Sequence, residues 1–354
     1  MNLIILDQNF DTLGVVSVFN TLIWDRRYYA SGLFELHTPA EFFTLMNTGR
    51  YLYRNDRDEL GVIREVNFAK DAKGTRTAYC KGYFSEELLN GRVLNTQISL
   101  TGTPEVIGRK ISQVKLGEPK GIGASVTVTA TGDNLGDKLY EIEKTQELSH
   151  RLRYDYLNND LIFEVWKGKD RTDDQTENSW AIFSDSFYNV KNAVYDRDES
   201  EYKNFAYVAG EGEGSARVIV EVDLRSSADE ERRELYVDAR DLQSTYQDDA
   251  GDEHTYTADQ YRALLRQRGL EKLAEYQKIE TVNGDVDPNA NLTYGVDFDL
   301  GDLCTYRYAD VGIETTKRIT EIQEVYEGSK QTLSVVFGND QMTSITKIIQ
   351  REVF

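Results

Sequence analysis

Apolar and polar positions alternate through LIILD (3–7) and VVSVF (15–19), with a polar stretch from Asn9 to Gly14 between them, a pattern that predicts an opening hairpin. PAEFFTLM (39–46) follows, with Thr38 placed to cap and Pro39 at the first helical position, which predicts a helix of one or two turns. From Arg50 to Tyr83 the strand pattern returns in YLYR, GVIREVNFAKD and TRTAYCKGYF, with a turn at Ala72 to Gly74. A small antiparallel barrel or sandwich is the predicted product, closed by a short helix over SEELLNG (85–91).

The next hundred residues read differently. TPEVIGRKISQ (103–113) spaces Val106, Ile107 and Ile111 as a helix does, and LGDKLYEIEKTQE (135–147) does the same with Leu135, Leu139 and Ile142. ASVTVTA (124–130) and LIFEVWKG (161–168) read as strands, so the region is an α+β module. Further on, SARVIVEVDL (215–224) puts Val218, Val220 and Val222 on one strand face, and Thr257 with Gln260 forms a capping box before YRALLRQRGLEKLAEY. The strands DLGDLCTYRY, TKRITEIQEVYEG and QTLSVVFG then make a second meander.

The two β-rich ends echo one another. GRYLYR leads to VIREVNFAKDAKGTRTAYCKGY, and GDLCTYR leads to RITEIQEVYEGSKQTLSVVFG. Each has a Gly-led strand, an Ile-x-Glu-hydrophobic quartet (Ile63 to Val66, Ile319 to Ile322), a turn at Gly74 or Gly328, and an alternating return strand. One chain would then hold two similar small barrels, and three chains about an axis would present six.

Composition narrows the function classes. In 354 residues, 61 acidic against 41 basic side chains give a net charge of -20, which disfavours attraction to nucleic acid phosphates. The N-terminus has no basic region before its apolar run, and no stretch reaches the length of a spanning helix, so neither a secretory signal nor a membrane partner is expected. Cys80 and Cys304 are too few and too far apart for a disulfide framework and read as buried thiols.

Enzyme chemistry finds little to use. His37, His150 and His254 share no metal-ligand spacing, and Glu211 and Glu213 in AGEGEGS (209–215) would repel a phosphate. DRDES (196–200), DDAGDE (248–253) and NGDVDPN (283–289) offer hard oxygen ligands without a helix-loop-helix calcium pattern; NGDVDPN is the first place to examine for calcium. No catalytic residue, cofactor or metal site is assigned. The remaining candidate is WDRRYYASGLFELHT (24–38): Trp24, Arg26, Arg27 and Tyr28 are suited to packing or pairing at a barrel edge or subunit contact, and Gly32 to bending the chain into FEL.

WDRRYYASGLFEL, GKDRT (168–172), AIFSDSFYNV (181–190), VAGEGEGSAR (208–217), VDARDL (237–242) and the closing LGD, RITEI and VVFGND together resemble, in order, the siphovirus Gp37-like (ReqiPepy6-type) tail-tip proteins. That family is similar to the baseplate hubs and tail-associated proteins of tailed phages. The resemblance implies an α+β, β-rich fold with two tail-tube-like antiparallel β-barrels and α+β insertion domains. The expected division is a first β-barrel hub domain at 1–95, an α+β domain at 96–205, a second barrel from 206–225 with 292–354, and a helical insertion at 226–291 packing on the α+β domain. It also implies a homotrimeric, pseudo-sixfold hub at the virion tail tip, made in the bacterial host cytoplasm. Its partners would be a distal-tail or tail-tube hexamer and other baseplate or fibre proteins, and DNA would pass through its lumen without specific binding. Because the sequence ends at QMTSITKIIQREVF, hydrolase or receptor-binding work is expected to lie outside this polypeptide. The competing reading is a tail-associated protein that binds cell-wall glycan or hydrolyses peptidoglycan.

Overall fold

The computed structural model describes residues 1–70, 72–247, 252–287 and 290–338. The chain divides into two compact units, the first made of Met1–Lys167, Lys203–Tyr276 and Glu324–Gln331, the second of Gly168–Tyr202, Gln277–Gln323 and the chain from Thr332 on.

In the first unit the strands Thr21–Arg27, Leu33–Pro39, Arg76–Phe84, Leu60–Lys70, Tyr51–Arg54, Leu3–Leu6 and Thr12–Val16 lie side by side in that order. Every neighbouring pair is antiparallel. Register follows from alternation: Leu22 lies opposite Leu36 and Trp24 opposite Phe34, while Leu36 faces Cys80 on its other side. Those apolar side chains therefore share one face and bury together with Leu3, Ile5, Ile63 and Phe84; slipping any strand by one residue would turn its set to solvent.

The same unit carries the α+β module. Thr103 caps the helix Pro104–Ile111 by accepting from the Val106 N–H, and Asn134 caps Leu135–Lys144. Their inner faces bury Ile107, Leu139 and Ile142 against Leu152, Phe163 and Val165 of the antiparallel pair Ser149–Asp155 and Asp160–Trp166. The helix Ala258–Ala274 starts at the predicted capping box of Thr257 and Gln260. It packs on the strands Phe205–Ala209, Ile219–Asp223 and Glu234–Asp238, with Leu264 and Leu265 against Val208, Val222 and Val237.

The second unit contains strands in the order Val190–Asp198, Ile279–Val286, Lys330–Gly338, Ile313–Glu327, Leu303–Tyr308 and Ile182–Ser184, the first-unit segment 324–331 forming the hairpin tip between two of them. In chain order these six correspond one for one to six of the first sheet: Leu3–Leu6 with Ile182–Ser184, Thr21–Arg27 with Val190–Asp198, Leu33–Pro39 with Ile279–Val286, and then the two meanders. The sequence echo is thus the closing half of a duplicated topology. Two features break the likeness. Ile182–Ser184 runs parallel to its neighbour where Leu3–Leu6 runs antiparallel, and the short corner after Arg27 is replaced after Asp198 by the whole segment 203–276. Both turn glycines, Gly74 and Gly328, have positive φ (89° and 59°), a conformation that favours glycine.

Several local expectations change. Residues 206–225 were expected in the second barrel, but Ile219–Asp223 pairs with Phe205–Ala209, which in turn pairs with Glu234–Asp238. Alternation fixes a strand's faces and leaves its partner open, so Ile182–Asp198, expected in the α+β domain, supplies the second sheet instead. The PAEFFTLM helix shrinks to one 3-10 turn, Ala40–Phe42, because Thr38 and Pro39 remain in a strand that pairs through Thr77. The helix expected over 85–91 is shortened to Glu87–Asn90, and the Ser85 hydroxyl before it donates to the Leu152 carbonyl. The pairings among the described strands run in open order and do not return on themselves. Residues 339–354, assigned to the second barrel, lie outside the described residues.

Candidate functional site

The corner singled out by sequence joins the strands Thr21–Arg27 and Leu33–Pro39. Trp24 is fully buried, its ring 4.6 Å from Phe84 and 6.1 Å from Phe34. Tyr28 is also fully buried. Its hydroxyl donates to the Glu147 carbonyl at 3.0 Å, its ring stands edge-on to Trp166 at 4.9 Å, and its own carbonyl accepts from the Ser149 hydroxyl. The first sheet and the α+β module are therefore pinned together at this tyrosine.

The two arginines find carboxylates within their own chain: Arg26 Nε is 2.5 Å from Glu59 and Arg27 is 2.9 Å from Asp25. Gly32 is required by close approach. A Cβ there would sit 2.4 Å from the Asp25 carbonyl oxygen and 2.5 Å from the Phe84 ring, while the Gly32 carbonyl accepts from the Phe84 N–H at 2.9 Å.

Behind Trp24 lies a charged cluster that sequence reasoning missed. The Arg54 guanidinium is fully buried, 5.5 Å from the Trp24 ring centroid and 5.0 Å from that of Tyr326. It donates to Asp56 at 3.0 Å, Glu324 at 2.7 Å and the Tyr326 hydroxyl at 2.8 Å; Arg57 reaches the other Glu324 oxygen at 2.9 Å. Burial alone would raise the pKa of Glu324, but Arg54 and Arg57 outweigh it and hold the carboxyl below its usual range. Burial and the neighbouring Glu324 push the Tyr326 hydroxyl up to about 12. A charged residue ending the alternating run YLYR was the available signal; its partner lies 270 residues away.

Other candidates are absorbed into structure. His37 contacts Glu35 at 2.5 Å, and His150 is buried on Glu143 at 2.8 Å, whose pKa burial raises. Cys80 and Cys304 are buried and free, and burial pushes the Cys80 thiol up to about 12, so it stays protonated. The first four residues of NGDVDPN form the end of a strand: Asp285 accepts from Ser334 and Asn192, and Asp287 pairs with Lys191, while Pro288 and Asn289 lie outside the described residues. Asp196 and Asp198 of DRDES are likewise in a strand, and residues 248–251 of DDAGDE lie outside the described residues. Among the described residues no group of His, Cys, Asp and Glu is arranged to hold a metal ion, and no helix is long and apolar enough to cross a membrane. A cleft of about 280 Å³ lies beside Tyr29 and Ser31, lined also by Tyr140, Lys144 and Glu271. That is just under the range of roughly 300–1,000 Å³ in which small-molecule pockets fall.

The whole described chain supports one family model, that of the Siphovirus ReqiPepy6 Gp37-like protein, which matches residues 2–100 and 92–339. The chain belongs to this Gp37-like family. Its fold is similar to three solved structures: prophage tail protein gp18 from Listeria monocytogenes (TM-score 0.60, 14% identity, 99% of this chain and 98% of that one), the 43 kDa tail protein of prophage MuSo2 from Shewanella oneidensis (0.60, 12%, 95% and 98%), and a tail protein from Neisseria meningitidis (0.58, 12%, 96% and 96%). No curated protein matched the sequence. Family and fold together support a structural role in a phage tail.

Proposed function

We propose that this Gp37-like chain is a structural subunit of a phage or prophage tail tip, assembling as a homotrimeric hub whose six sheets form a pseudo-sixfold ring. The observation that carries this reading is the duplicated order of six strands, which gives one chain two sheet units of the same connectivity. Closed cyclic assembly is common among homo-oligomers, and a trimer of duplicated units offers a sixfold tube six similar surfaces. In the assembled ring each sheet would complete a tube-like barrel, caps or extends the tail tube, and the inserted α+β segments anchor neighbouring tail proteins. DNA passes through the lumen without specific contacts, consistent with a chain of net charge -20. The role is architectural, with no enzymatic step. The family match and the tail-protein fold support it.

Sedimentation of the purified chain tests the proposal: the expected mass is that of three chains, with ring-shaped particles of threefold symmetry in electron micrographs. A chain that stays monomeric at the highest attainable concentration overturns it.

A further inference from the structure

The two meanders end in hairpins that are treated differently. In the second, the strand Ile313–Glu327 pairs with Leu303–Tyr308 only as far as Arg318. The hairpin's tip, Glu324–Gln331, is part of the first unit, where it lies beside the Thr21–Arg27 strand with the Gly328 N–H donating to the Asn20 carbonyl. Glu324 is buried there on Arg54 and Arg57. The tip is thus a strap held by one buried carboxylate on two arginines.

The first hairpin has the same connectivity, but among the described residues its outer edge has no strand beside it. Leu60–Lys70 pairs with Tyr51–Arg54 only as far as Val62, the register then shifts at a bulge between Ile63 and Glu65, and from there, among the described residues, its only strand partner is Arg76–Phe84. Burial changes at the bulge: Leu60 to Ile63 are buried, whereas almost every residue from Arg64 to Lys70 is exposed, Phe68 at 46%. The outer edge of this ribbon is open among the described residues, while Arg76–Phe84 is paired on its far side with Leu33–Pro39 and buries Ala78 and Cys80; an unpaired edge of this kind is a ready template for another strand. The ribbon's charge is also unlike the rest of the chain. Between Arg64 and Lys81 there are five basic residues and two acidic, a net of +3, leaving -23 for the remainder of a chain of -20. Lys70 and Arg76 lie directly opposite one another in the ladder, and neither has a carboxylate within 4 Å among the described residues. Like charges in that position are destabilising unless an anion is brought to them.

The duplicated topology says where. The strand equivalent to Thr21–Arg27 is Val190–Asp198, which ends its sheet and has one edge unpaired among the described residues. After its own bulge, Val194 to Asp198 is a regular run. It bears Asp196 and Asp198, and one Asp196 carboxylate oxygen is buried without a hydrogen-bond partner.

We propose that the ribbon is an intersubunit strap: the Glu65–Lys70 edge of one copy adds as a strand to the open Val194–Asp198 edge of a second copy, bringing Lys70 and Arg76 to its Asp196 and Asp198. The contact repeats between chains the relation that Glu324–Gln331 has to Thr21–Arg27 within one, and it presupposes the ring proposed above. Strand addition to an exposed edge supplies backbone hydrogen bonds, and the opposed charges set the register.

The test combines mass in solution with amide hydrogen exchange on the full chain, comparing wild type with Lys70→Glu/Arg76→Glu and with the milder Lys70→Ala/Arg76→Ala. Both positions are exposed, so an unchanged melting temperature verifies folding. The wild type is expected to be trimeric, with slow exchange at 65–70 and 194–198. The reversed-charge variant falls to the mass of one chain and exchanges at least tenfold faster in both segments while Thr21–Arg27 stays protected; the alanine variant shows a smaller loss of the same kind. A trimeric variant with unchanged protection overturns the strap and leaves the hub standing. A monomeric wild type overturns both. If the substitutions abolish retention of a DNA oligonucleotide but leave the mass unchanged, the ribbon serves nucleic acid and the strap is wrong.

Discussion

Gly32 and Glu324 show how single residues hold the first unit. At Gly32 the conflict is steric, since a methyl group meets both a carbonyl oxygen and an aromatic ring that cannot yield without disturbing Trp24. Gly32→Ala should therefore cost about 1–3 kcal/mol, as overpacking does, read as a lower urea midpoint at unchanged slope. At Glu324 the effect is electrostatic. Its folded pKa lies below the ordinary value of 4.5, so the carboxylate contributes stability that is fully present above pH 4.5 and lost as the pH falls through the folded value. Glu324→Gln should melt well below wild type at pH 7, and the gap should narrow steadily as the pH is lowered from 4.5. A gap that stays constant would show that Arg54 and Arg57 do not set the ionisation of Glu324.

At the scale of elements, local signals and long-range pairing carried different information. The capping box of Thr257 and Gln260 was legible because both partners lie within four residues, and the helix begins there. Thr257→Ala should cost about 0.5–2 kcal/mol, typical of a lost N-cap, with exchange accelerated most in the first turn of Ala258–Ala274. The helices over 103–113 and 135–147 were legible from apolar residues at helical spacing, and the structure adds their caps, Thr103 and Asn134. PAEFFTLM had the same local marks and yielded one 3-10 turn, because Thr38 and Pro39 extend a ladder whose other strand lies about forty residues on. Ile182–Ser184 and Val190–Asp198 carried too short or too polar an alternation to stand out, and only their partners make them strands.

For the whole molecule, the segment 203–276 is the main departure from a simple duplication. It leaves and re-enters the chain at one place, where the Lys203 N–H donates to the Tyr276 carbonyl at 2.9 Å, and the strands on either side, Val190–Asp198 and Ile279–Val286, pair from Asp198 opposite Ile279. Insertions whose ends meet in this way are removable without threading the chain. A chain in which residues 203–276 are replaced by a short Gly-Ser turn should keep the 190–198 and 279–286 ladder, seen as retained amide protection in 279–286. Loss of that protection would show that the inserted segment is needed for the second sheet to form.

By itself the sequence determined the alternating strands of both meanders, three of the helices and the capping box of the last, the echo between the two ends, and the family. These follow from spacing and turn chemistry within short windows, or from motif order along the chain. The tertiary structure decided which strand lies beside which, that residues 206–225 belong with the inserted segment, and that Trp24 and Tyr28 are covered by their own chain. It also joined Arg54 to Glu324 and, among the described residues, left the 65–70 edge without a neighbouring strand. The physical reason is that an alternating strand declares its two faces but not its neighbour; neighbours are chosen by long-range burial and charge pairing, which no local pattern records.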